Sequence, residues 1–122
     1  MPNPPVSLTS AAGQLLTAAG IASGAILRSG PTANYSDTLD SAANIIAALP
    51  GIGVGQGILF TLTNLTNYVE TILAGTGVSF QMTSPQTATT QAANVTLWRV
   101  VATNVTSGSQ AVTFYRLGSL GI

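Results

Sequence analysis

Three carboxylates and three guanidiniums are all the charge this sequence carries: Asp37, Asp40 and Glu70 against Arg28, Arg99 and Arg116, in 122 residues without a single Lys, His or Cys. Hydrolysis by paired carboxyl groups needs two acids about 5 to 10 Å apart across a bond. Asp37 and Asp40 stand just before an apolar helical pattern, where capping the helix start accounts for them. Glu70 stands in a strand-like stretch, where an Arg is its natural partner. The three acids lack the loop spacing of a Ca²⁺ site. Ser and Thr are abundant, but a hydroxyl nucleophile needs a base, and neither His nor Lys is there to serve. Without Cys or His there is no thiolate or imidazole to hold a metal, and no imidazole to switch near neutral pH. The run Gly51-Ile52-Gly53-Val54-Gly55-Gln56-Gly57 has the glycine density of a phosphate loop. It follows a helix rather than a strand, however, and no Lys follows it, so it reads as a helix-to-strand connector. The residue types thus point to no catalytic set, no cofactor and no metal.

The same scarcity of charge says something about partners. Charged residues make up 5% of the chain and the net charge is zero, against about 25% charged residues in average globular proteins. Three scattered Arg cannot form the basic stripe that phosphate neutralisation requires, so nucleic acid is not an expected partner. The stretch from Ala11 to Leu27 is apolar but is broken by Gly13, Gly20 and Gly24 and is short for a spanning helix, so a membrane is not expected either. A neutral surface of Thr, Ser, Asn, Gln and Gly gives little colloidal repulsion. It suits a protein that lives packed against other copies or other subunits.

Four stretches match the acceptor pattern for an N-linked glycan: Asn34-Tyr35-Ser36, Asn64-Leu65-Thr66, Asn94-Val95-Thr96 and Asn104-Val105-Thr106. The start, Met1-Pro2-Asn3-Pro4-Pro5, has neither the basic region nor the compact apolar region of a secretion signal. We read the four patterns as turn chemistry, since Asn side chains bond the nearby backbone at strand ends and Thr is favoured in strands.

The elements that would position these residues are mostly strands. Ala42, Ile45, Ile46 and Leu49 follow the i, i+3, i+4, i+7 spacing of one buried helix face, with Asp40 or Asp37 as cap and Pro50-Gly51 as stop. Strands are expected from Ile58 to Leu62, Val69 to Leu73, Val78 to Met82 (ended by Ser84-Pro85), Thr87 to Thr90, Val95 to Ala102 and Ala111 to Leu117. The run from Val95 to Ala102 is apolar on both faces, which predicts a central strand. Thr63-Asn64-Leu65-Thr66 matches Thr103-Asn104-Val105-Thr106, and a strand flanks each on either side. That suggests two related hairpins packed face to face. Ile58, Phe60, Leu62, Val100, Val112 and Phe114 are the expected core. Arg99 and Arg116 lie in these strands and suit pairing with Glu70 or Asp37. Residues 1–34 show no sustained period, and only a short strand around Ala25 to Arg28 suggests a tie to the main domain. The fold expected is mainly β, a small antiparallel β-sandwich or barrel of residues 35–122 with one short α-helix and an extended N-terminal arm of residues 1–34. The arm's Leu15, Leu16, Ile21, Ile26 and Leu27 would seat it on another surface.

The succession "YSDTLDSAANIIAALPGIGVGQGILFTLTNLTN", then "TILAGTGVSF", then "VTLWRVVATNVTSGSQAVTFYRLG" resembles the capsid decoration or cement proteins of tailed bacteriophages over roughly residues 35 to 118. A capped helix ending in Ala-Leu-Pro, a Val-Gly lead into "FTLTN", an "AGTGV" turn and a terminal "TNVTSGSQAVTFYRL" hairpin carry the likeness. The resemblance implies a structural virion protein on the outer surface of the capsid, a homo-oligomer and often a trimer. Its partner would be the major capsid protein, and it would clamp joints between major capsid subunits. The alternative is a fibre, spike or tail component that binds a host receptor, for which Trp98, Tyr35, Tyr68 and Tyr115 are the candidate aromatics.

Overall fold

In the computed structural model, which describes residues 5–82 and 88–122, the chain crosses between two sheets at almost every connection. It runs β1 (Val6–Leu8), β2 (Leu15–Leu16), α1 (Ala18–Ser23), β3 (Ala25–Arg28), β4 (Tyr35–Leu39), α2 (Ala42–Ala47), β5 (Gly57–Asn64), β6 (Glu70–Leu73), β7 (Val78–Gln81), β8 (Thr89–Thr90), β9 (Asn94–Asn104) and β10 (Ala111–Gly121). The larger sheet has the order β1-β3-β5-β9-β10-β7 and the smaller one β2-β4-β6-β8. From β1 to β9 odd strands belong to the larger sheet and even strands to the smaller; only β9 and β10 follow each other within one sheet. The prolines at 2 and 4, the Ser84-Pro85 stop and Thr87 lie outside the described residues.

The fold is mainly β and sandwich-like, with two helices rather than one and with mixed sheets. The mixing follows from the winding. Strand, strand and helix come round twice, as β1-β2-α1 and β3-β4-α2, before β5 and β6 add a further pair. Each circuit lays its strands parallel to the previous ones: Val6 beside Ile26, Ile26 beside Leu62, Leu16 beside Leu39, Asp37 beside Ile72. Coils of a parallel β-helix stack in the same manner. The two helices repeat in sequence as well as in space. Thr17-Ala18-Ala19-Gly20-Ile21 and Ser41-Ala42-Ala43-Asn44-Ile45 share a hydroxyl cap, which accepts from Gly20 N–H in α1 and from Asn44 N–H in α2. Ala18 and Ile21 are buried in the first, Ala42 and Ile45 in the second.

One core fills the space between the sheets. Phe60, Leu62, Val100, Val112 and Phe114 are buried as expected, while Ile58, Ile46 and Leu49 pack at its margin. Trp98 joins Phe80 and Phe114, with ring centroids 5.7 and 6.2 Å away, and Phe60 meets Phe114 edge-on at 6.2 Å. Such tilted and edge-to-face contacts suit the ring quadrupoles.

The structure corrects three expectations. The N-terminal arm is not a separate element, because β1 and β3 belong to the larger sheet and β2 to the smaller one. Leu16, Ile21 and Ile26 are wholly enclosed in the chain's own core, so they cannot also seat it on a partner, and no boundary falls at residue 34. Leu15 is exposed and Leu27 half-buried. The physical reason is length: strands of two to four residues leave too few positions for a period to show. Second, β5 and β6 do not form a hairpin. Both edges of β5 are taken by β3 and β9, so the chain must leave for the other sheet after Asn64. Third, α2 is capped by Ser41, not by Asp40 or Asp37.

Two glycines let the N-terminal segment lie this close. A Cβ at Gly13 would collide with the Ser36 carbonyl, and Gly30, at φ 106°, faces the Thr9 carbonyl at similar range. Removing residues 1–24 is therefore expected to abolish the cooperative thermal transition followed by circular dichroism, since it takes away β1, β2, α1 and the buried Leu16 and Ile21. A truncated chain that melts like the full one would mean that this segment is an appendage after all.

Candidate functional site: a buried charge cluster and an open sheet face

Half of the chain's charged side chains are inside it. Arg28, Asp37 and Glu70 are all fully buried, on β3, β4 and β6. Burying a guanidinium is tolerable only if its donors are used, and all five are. Arg28 Nε and Nη2 donate to Asp37 at 2.8 and 3.2 Å; Nη1 donates to the carbonyls of Ser10 and Ser29 at 2.6 and 2.8 Å; Nη2 also donates to the Ala12 carbonyl at 2.6 Å. Asp37 takes a further bond from the Gln14 N–H at 2.8 Å. The guanidinium also lies 5.0 Å from the Tyr35 ring centroid. The pairing thus falls to Arg28, not to Arg99 or Arg116, and Asp37 serves it rather than the helix. Nothing in the sequence marked Arg28 out except its position in a short apolar strand.

Glu70 stands next to this pair on the neighbouring strand, and among the described residues no donor reaches either carboxylate oxygen. Burial pushes its carboxyl up to about 10, and the adjacent Asp37 charge adds to the effect. Glu70 therefore keeps its proton at neutral pH. Burial also opposes charge on Asp37, but hydrogen bonds from Glu70, Arg28 and the Gln14 N–H outweigh it and hold that carboxyl below its ordinary range. Burial, with the nearby Glu70, raises Tyr35 above the usual phenol range. The pair is fully enclosed, and the cluster fastens the two sheets to each other.

The Asn-x-Thr patterns serve as local fasteners too. Asn64 is fully buried. Its Nδ2, the atom a glycan would need, donates to the carbonyls of Tyr68, Thr90 and Gln91 at 2.6, 3.1 and 3.2 Å. Its Oδ1 accepts from Thr66 N–H at 3.0 Å, Thr66 Oγ1 at 2.6 Å and Tyr35 Oη at 2.9 Å. Asn104 accepts from Thr106 N–H at 2.9 Å, and Asn34 from Val69 N–H at 3.0 Å. Asp40 ties the starts of both helices, accepting from Ala18 N–H, Ser41 N–H and the Asn44 amide. These bonds hold its carboxyl below the ordinary range against the opposing effect of burial.

Chemistry that could meet another molecule lies on the outer face of the larger sheet. Leu59, Arg99, Tyr115 and Gln81 stand side by side across β5, β9, β10 and β7, all exposed. Next to them come Thr61, Leu97 and Gly118, then Thr63, Val95 and Leu120. Thr61, Val95, Leu97, Gly118, Ser119 and Leu120 line a depression of about 370 Å³. Leu59 and Leu120 on this face are 58% and 74% exposed. On the opposite face Arg116 donates to the Thr89 carbonyl at 2.7 Å and lies 5.7 Å from the Trp98 ring centroid, where burial lowers its pKa. The apolar pattern on both sides of β9 led correctly to a central strand. Among the described residues its inner face is buried in the core, while its outer face keeps Arg99 exposed and Val95, Leu97 and Val101 half-buried, a difference the pattern could not tell.

Two outcomes follow. Arg28→Ala leaves Asp37 buried without its cation and should cost about 3 to 5 kcal/mol, read from urea melts; Arg28→Lys, with three donors for five, should restore little of it. The second concerns pH. Above about 4.5 an unfolded Glu70 is ionised, whereas the folded one keeps its proton up to about 10. The folded state then holds the extra proton, and stability falls as pH rises across that window. Asp37, held low, contributes in the opposite sense, losing its share only as pH falls through the acid range. Urea-melt stability should decline from about pH 6 to about pH 9 in the wild type and stay level in Glu70→Gln; a level wild-type profile would mean Glu70 holds no proton.

Among the described residues no group of three or more His, Cys, Asp and Glu side chains is placed to hold a metal ion, and no helix is long and apolar enough to cross a membrane. Compared with known protein families, curated proteins and solved structures, the chain matches none.

Proposed function

We propose that this chain is a structural, non-enzymatic virion protein, a capsid decoration or cement protein that binds the outside of a shell and stabilises joints between major capsid subunits. One observation supports the reading: the outer face of the larger sheet's central strands carries the exposed Leu59 and Leu120 and a depression of about 370 Å³ lined in part by Val95 and Leu97. Residues such as Leu59, Leu97 and Leu120 gain about 25 cal/mol per Å² when another surface covers them. Repeated over every joint of a shell, even a modest net gain per copy adds up, after the ordering costs of association are met.

The distribution of charge supports the same reading. With Arg28, Asp37 and Glu70 enclosed, only Arg99, Arg116 and Asp40 reach the surface at all, so little stands against close packing with neighbours. The homo-oligomer, with a trimer favoured, is part of this proposal. It also accounts for a surface with too little charge to keep free monomers apart.

Adding purified protein to bare phage shells tests the reading. Stoichiometric binding that raises the shell's melting temperature is expected. Because exposed ion pairs contribute only about 0 to 1 kcal/mol each, the attachment should persist at high salt. Binding to host cells in place of shells would favour a receptor-binding fibre or tail component.

A further inference from the structure

Arg99 differs from every other charged side chain in the molecule. Arg28 and Asp37 neutralise each other, Glu70 keeps its proton, Asp40 is bound by three donors, and Arg116 rests on Trp98 and the Thr89 carbonyl. Arg99 is exposed, and among the described residues no acidic side chain lies within ion-pair reach of it. It stands mid-sheet between the exposed Leu59 and Tyr115. It also forms one wall of a groove of about 700 Å³ whose other walls come from the Gly51–Gly57 connector and the end of α2.

Any apolar surface that covers this face takes Arg99 out of water. An unpaired buried guanidinium is strongly unfavourable, so the covering surface must bring an anion, and the planar fork of Arg matches a carboxylate. A second copy cannot supply one from its side chains. Its Asp37 and Glu70 are enclosed and its Asp40 is occupied by three donors. We propose that the outer face of the larger sheet docks an apolar surface of a different protein, one that presents a single Asp or Glu side chain to Arg99. This rests on the reading of the chain as a shell-binding protein and names the chemistry of the surface it binds. Copies of the chain would then meet through other surfaces.

Two capped peptides, acetyl-Leu-Glu-Leu-amide and acetyl-Leu-Gln-Leu-amide, separate a carboxylate site from a merely apolar one. In an NMR titration of the full chain, the glutamate peptide should shift the amides of Gly57, Leu59, Arg99 and Tyr115 with at least about fivefold higher affinity than the glutamine peptide. Arg99→Gln should erase the difference while leaving the other resonances in place. Since exposed charges are screened by salt, about 1 M NaCl should shrink the preference in the wild type. Equal affinity for the two peptides, shifts centred elsewhere, or no shifts from either would overturn the carboxylate assignment. An oligomer that dissociates on Arg99→Gln would show that copies of the chain, not another protein, meet at this face. The peptides need no shell, so their failure leaves the shell-binding reading standing. Failure of the wild-type protein to bind shells counts against that reading alone.

Discussion

The buried pair of Arg28 and Asp37 is the constraint around which the first half of the molecule is arranged. It joins β3 of the larger sheet to β4 of the smaller one, and the spare guanidinium donors reach the carbonyls of Ser10, Ala12 and Ser29. Three stretches of chain that share no strand pairing at those points are held by one side chain. Burying two charges is costly, and the pair is no source of net stability by its mere presence. What it contributes is specificity. Any other path for residues 10 to 14 would leave a guanidinium N–H or an Asp37 oxygen enclosed without a partner, and each such loss is expensive. Glu70 fits beside the pair only because it stays neutral, which makes the cluster's balance dependent on one retained proton.

The winding explains why such a fastening is needed. Strands of two to five residues, such as β1, β2, β3 and β4, are marginal alone. By alternating between sheets they place one apolar side chain after another into a shared core: Leu16 from one sheet, Ile21 from a helix, Ile26 from the other sheet. Neither sheet is complete until its partner's strands are in place, so the two must form together. The Asn64 amide performs a similar task further along, where the chain leaves β5 for the smaller sheet and its polar backbone must be satisfied inside the protein.

The molecule encloses Arg28, Asp37 and Glu70 beside its apolar core and leaves Leu59 and Leu120 on an outer strand face. A chain with six charged residues that encloses three of them has spent its means of staying apart from neighbours on holding itself together. The open face of β5, β9 and β10 is the counterpart. In a monomer it is a liability; in the assembly we propose it would be the contact surface, with Arg99 among the residues to be matched there.

The sequence by itself determined the long elements. The alternation from Ile58 to Leu62, the doubly apolar run from Val95 to Ala102 and the stretch from Ala111 to Leu117 were enough to place β5, β9 and β10, which the structure extends to eight, eleven and eleven residues. The spacing of Ala42, Ile45 and Ile46 was enough for α2, and the turn chemistry of Asn64 and Asn104 could be read from residue type, whereas Asn34 bonds the distant Val69. The N-terminal strands were not legible. Two to four residues carry no measurable period, and their partners lie twenty or more positions away in the chain. The recurring Thr-Ala-Ala-Gly-Ile and Ser-Ala-Ala-Asn-Ile was the one local sign of the winding. Only the tertiary structure decided which Arg met which acid, and that one side of an apolar strand stayed open. Both depend on which distant segments come together, a matter of winding that residue types along the chain do not encode one by one.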